Sequence, residues 1–138
     1  MFRTLLVFAL LLAGCGPKPV VKVHDRARGV KIDCMALRVV PPQKTLESAF
    51  RALYPFRRDC PFTMEVQHKE NIRCNSTQNV QAKCLGRMPR HFLRMTLREG
   101  PSPLYEYYVD LDGPPGPQEV KRAFGRMADD LKIVPNGM

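Results

Sequence analysis

Apolar and polar positions fall in two rhythms along this chain. In residues 60–68, Phe62, Met64 and Val66 alternate with Thr63, Glu65 and Gln67. In residues 79–86, Val80, Ala82 and Cys84 alternate with Gln81 and Lys83. Residues 91–99 set Leu93, Met95 and Leu97 against Arg94, Thr96 and Arg98. Residues 104–113 set Tyr105, Tyr107, Val109 and Leu111 against Glu106, Tyr108 and Asp110. A period of two with one apolar face predicts half-buried antiparallel strands. Residues 29–42 begin the same way, with Val30, Ile32 and Cys34 against Lys31 and Asp33, and end at Pro41-Pro42.

Elsewhere the period is helical. Leu46, Ala49, Phe50 and Leu53 fall at i, i+3, i+4 and i+7, with Thr45 placed to cap and Pro55 to stop the helix. Val120, Ala123, Phe124, Met127, Ala128 and Leu131 form a second stripe, with Pro117 suited to its first turn. The order β-α-β-β-β-β-α predicts an α+β domain. Its four- to five-stranded, mostly antiparallel sheet would carry two helices packed on one face. Residues 16–29 mix prolines with charges and read as a tether.

The 138 residues hold one domain and a leader. Arg3 precedes an uninterrupted apolar run from Leu5 to Leu12, with small residues Ala13 and Gly14 behind it. A membrane span takes roughly 20 apolar residues, so this run suits a secretory signal instead. Leu12-Ala13-Gly14-Cys15 resembles the lipobox of bacterial lipoproteins. The resemblance implies cleavage before Cys15, then acylation of its sulfur and its new amino group, palmitate being a typical acyl chain. It also implies an envelope location, and Gly16 in place of an aspartate favours the outer membrane. The expected organisation is a signal over 1–14, the lipidated cysteine and tether over 15–29, and one domain over 30–138.

Export changes the reading of the other cysteines. Cys34, Cys60, Cys74 and Cys84 are an even set, and an oxidising compartment makes disulfides their default. Three pairings are open, of which Cys34–Cys60 with Cys74–Cys84 is preferred, because Cys74 and Cys84 bracket a turn-rich segment. The spacing Cys60, Cys74, Cys84, His91 contains no Cys-x-x-Cys, so neither metal nor cofactor is expected. His24, His68 and His91 are scattered, and no nucleophile or metalloprotease motif occurs. No catalytic residues are assigned.

Net charge is +9, from 22 Lys+Arg against 13 Asp+Glu. The densest basic run is Arg87, Arg90, His91, Arg94 and Arg98. Arg94 and Arg98 should project from one polar strand face, with Tyr108 beside them. That is a candidate anion-binding face, its plainer alternative being cross-strand pairing of Arg94 with Glu106 or Asp110. The preferred expectation is a non-enzymatic binding or assembly module of an envelope machine. It would be anchored to the membrane through its lipid and partnered by envelope protein. The rivals are a binder of polyanions (lipopolysaccharide, anionic lipid or glycan, or incoming DNA, but not cytoplasmic nucleic acid) and an inhibitor of an envelope-directed hydrolase. Typical lysozyme is basic, so long-range repulsion disfavours it as that hydrolase.

Overall fold

A computed structural model describes residues 18–69 and 91–134. The elements in chain order are β1 (Val20–Val23), a 3-10 turn (Asp25–Ala27), β2 (Ala36–Val40), α1 (Lys44–Leu53), β3 (Phe62–Lys69), β4 (His91–Glu99), β5 (Ser102–Leu111) and α2 (Pro117–Leu131). The strands form one sheet in the order β1-β5-β4-β3-β2. The fold is α+β, as the patterning predicts.

The alternations in β3, β4 and β5 resolve into one buried and one largely accessible face, Thr96 being a buried exception on the second. Met64, Val66, Leu93, Met95, Leu97, Tyr105, Tyr107 and Val109 are buried beneath the helices. Leu46 and Phe50 of α1, with Val120, Ala123, Phe124 and Met127 of α2, close the core from above. Tyr54, Phe56 and Phe124 form a ring cluster between the helices, with centroids 5.1 to 6.3 Å apart. Burying such a set of large side chains stabilises each by about 1.5–3 kcal/mol over its exposed state, which is why the core decides the fold.

Four expectations change. The segment read as a tether contributes β1, whose Val20–Val23 pair antiparallel with Tyr108–Tyr105. Its Val-Lys-Val alternation is too short to stand out, yet a four-residue edge strand needs no more. Second, residues 30–35 do not join the sheet. Val30 and Ile32 pack on the core from outside the ladder, and β2 begins only at Ala36. Third, β2 runs parallel to β3, while the other pairs are antiparallel. The cause is α1, which carries the chain over the sheet between them as a crossover. Fourth, Gln43 takes the cap position of α1, so Thr45 lies within its first turn. The strand expected over 79–86 lies outside the described residues.

Two local devices hold the frame. Gly100 sits at φ +57° as the first residue of the two-residue turn joining β4 to β5, the position where a II′ hairpin needs glycine. Cys34 and Cys60 are disulfide-bonded with Cα atoms 6.0 Å apart, tying the approach to β2 to the approach to β3. This is the expected pair; Cys74 and Cys84 lie outside the described residues.

Candidate functional site

The helices cover one side of the sheet. The other side is built from the polar half of each alternation, and strand register aligns it in rows. One row runs Val40, Gln67, Arg94, Tyr108, Val20. The next runs Arg38, Glu65, Thr96, Glu106, Lys22. Arg94 and Tyr108 are therefore direct cross-strand neighbours, as the period-two reading requires, and Arg98 follows on the same strand.

Their electrostatics differ from those of a bare cationic strip. Arg94 Nη2 donates to Glu106 Oε1 at 3.4 Å, the cross-strand pairing that was the plainer alternative. The ring of His24 donates from Nε2 to Glu106 Oε2 at 2.8 Å. Glu106 thus accepts from both sides. The His24 hydrogen bond, more than any other contact, holds its carboxyl below the ordinary value, against the opposing pull of partial burial. Arg38 lies 3.9 Å from Glu65, which also accepts from Gln67 at 3.0 Å. Arg98 donates to the Pro101 carbonyl at 3.4 Å, beside an irregularity in the β4–β5 register.

Tyr108 stacks on Phe92, with centroids 5.5 Å apart and planes at 26°. Its hydroxyl donates to Asp110 at 2.7 Å. Burial first, and then that hydrogen bond, push its phenol up to about 12. Val20 and Val40 stand exposed at opposite ends of one row. The face therefore combines paired charges of both signs, two stacked rings and isolated aliphatic groups.

Arg87 and Arg90 lie outside the described residues. His91 falls on the opposite, helix-facing side and is buried. His68 is buried on that side too, its Nε2 donating to the Pro41 carbonyl at 2.8 Å. The three histidines are thus spread over two faces. Sequence patterning missed Lys22 and His24, because both sit in the stretch read as a tether. The Val20-Val21-Lys22-Val23-His24 alternation is the signal that could have found them. The chain matches no protein-family model, no curated protein and no solved structure.

Proposed function

We propose that the protein is a lipid-anchored lipoprotein of the bacterial cell envelope whose domain is a non-enzymatic binding or assembly module. Its open sheet face is the surface that meets a protein partner. One observation carries the choice of partner. Two arginines of the face are already shared with carboxylates, Arg94 with Glu106 and Arg38 with Glu65, and Arg98 is turned to the Pro101 carbonyl. A polyanion would have to displace those carboxylates, whereas a protein surface can meet paired charges, stacked rings and valines together. The lipobox residues Leu12–Cys15 supply the anchor. The span from Cys15 to Val20 reaches at most about 18 Å, so the β1 edge is held close to the bilayer.

Two measurements test this. Metabolic labelling with a fatty-acid analogue should mark the wild type and not Cys15→Ala; equal labelling would remove the anchor. A photo-crosslinker at Tyr108 should capture a defined envelope protein in cells, and one at Arg122 on α2 should not. Capture at Tyr108 should disappear on Arg94→Glu. Equal capture from the two positions would remove the face.

A further inference from the structure

A second surface lies at the sheet's far edge. β2 has a strand neighbour only in β3, so one side of Ala36–Val40 is an open ladder edge among the described residues. Beside it is a concavity of about 580 Å³ that wraps the edge and is lined by Arg38, Arg51, Phe56, Arg57 and Arg58 together with Ala36 and Leu37. Four arginines thus line one groove beside the strand edge.

The frame of the groove is pre-built. The Arg57 N–H donates to the Met35 carbonyl at 2.9 Å, stitching residues 56–58 alongside the start of β2. The Cys34–Cys60 disulfide closes the same segment from its other end. Phe56 is fixed by its edge contacts with Tyr54 and Phe124. Arg51 is held by Glu47, donating from Nε and Nη2 to one carboxylate oxygen at 3.1 and 3.0 Å. Arg57 and Arg58, exposed, have no ion-pair partner among the described residues.

We propose that the β2 edge is a docking site for an extended acidic segment of another protein, which adds to the sheet as a strand while its carboxylates meet Arg57, Arg58 and the groove wall. The strand edge supplies main-chain hydrogen bonds and the arginines select the sequence. Charge decides the occupant. A second copy of this chain is cationic and would bring its own β2 arginines against these, so the same groups that admit an acidic strand repel self-association. Holding the Arg51 side chain and the Arg57 backbone beforehand limits the ordering cost of binding. This site adjoins the open face, sharing Arg38 with it, and it stands whether or not the chain carries lipid.

The test is fluorescence anisotropy on the purified full-length chain in nonionic detergent. The probe is a capped, dye-labelled peptide alternating glutamate with threonine. It should bind, and its lysine-for-glutamate counterpart should not. The same acidic peptide, N-methylated at alternate backbone positions, keeps its charge but cannot complete a ladder, and should bind at least about tenfold more weakly. Arg57→Glu with Arg58→Glu should cost about tenfold, as two exposed attractions become repulsions. Lys121→Glu with Arg122→Glu on α2 changes net charge equally and should leave binding near wild type. The gentler Arg57→Gln with Arg58→Gln should fall between, and melts confirm that each variant folds. Undiminished binding of the N-methylated peptide would overturn strand addition. So would an equal loss from both charge reversals, or no binding of the acidic peptide. Anionic phospholipid vesicles bound through Arg57 and Arg58, with the peptide not competing, would assign the groove to headgroups and overturn the proposal.

Discussion

Tyr105 and Asp130 are joined across the core boundary: the phenol hydroxyl of a fully buried β5 residue donates to an α2 carboxylate at 2.8 Å. The same oxygen, Oδ2, accepts from Arg126 Nε at 3.0 Å. The bond gives the polar end of a large apolar ring somewhere to go. It also ties the last turn of α2 to β5. The core packing of the helix and its tether to β5 are therefore one device.

A double-mutant cycle reads that device. Tyr105→Phe removes the donor and should cost about 0.5–1.5 kcal/mol. Asp130→Ala strands a buried hydroxyl and should cost more, about 1–3 kcal/mol. The double variant should cost clearly less than the sum of the two, because no unpaired group remains. Urea unfolding measures all three; simple additivity would show that the bond contributes nothing.

All four tyrosines are pushed upward from the ordinary phenol value of 10.0, burial being the largest cause at each of Tyr54, Tyr105, Tyr107 and Tyr108. A phenol whose folded value exceeds its unfolded one contributes stability that is fully present below the unfolded value and lost as pH rises through the folded one. Alkali should therefore release tyrosinate together with the fold. With no tryptophan in the chain, tyrosinate absorbance can be followed cleanly beside circular dichroism. Tyrosinate forming near pH 10 while the dichroism stays native would contradict the burial of these rings.

The Cys34–Cys60 link spans 26 residues of sequence. Closing a loop of that size stabilises a fold by about 2–4 kcal/mol. Cys34→Ala with Cys60→Ala should lower the urea midpoint accordingly, and reduction of the wild type should lower it similarly. Peptide mapping without reductant should recover the link. An unchanged midpoint in the variant would deny the disulfide any structural role.

At the end of α2, Lys132 adopts φ 56° and ψ 44°, while Ile133 N–H donates to the Ala128 carbonyl at 2.9 Å. A side chain in the left-handed region costs about 1–2 kcal/mol, which glycine avoids at some cost in unfolded-state entropy. Lys132→Gly should raise stability by about 0.5–1 kcal/mol. A loss on thermal melting would mean that the lysine side chain makes a compensating contact.

What could be read from the sequence follows from what periodicity encodes. Phe62, Met64 and Val66 announce a strand with one dry face, and the Val120–Leu131 stripe announces a helix over it, because burial acts on every second or every third-to-fourth side chain. Arg94 and Glu106 could be paired in advance, since both fall on polar faces of adjacent hairpin strands. Periodicity names a face but not a neighbour, so the parallel pairing of β2 with β3 was hidden. His24 was hidden for a similar reason, its partner Glu106 standing 82 residues away. The groove of Arg38, Arg51, Arg57 and Arg58 is tertiary altogether: a strand, a helix and a loop bring together residues that share no sequence rhythm.

The His24–Glu106 contact makes the hold on β1 depend on pH. β1 is a strand of four residues whose only strand neighbour among the described residues is β5. His24 follows it directly; besides the ring's bond to Glu106, its backbone N–H donates to the Leu104 carbonyl at 2.9 Å. Glu106 faces Lys22 from β1 and receives Arg94 from β4, and the sum holds its carboxyl below the ordinary 4.5. A depressed carboxyl contributes stability that is complete above its unfolded value and lost as pH falls through the folded one. Mild acid, below the ordinary carboxylate range, should therefore loosen β1 before the core opens. Hydrogen exchange of a peptide spanning residues 20–27, corrected for intrinsic rates, should quicken there in the wild type. In Glu106→Gln it should already be quick near neutrality and change little with acid, because the titrating group is gone. An acid-dependent loosening of the same size in Glu106→Gln would assign the effect to other carboxylates, and the His24–Glu106 pair would not control the strand.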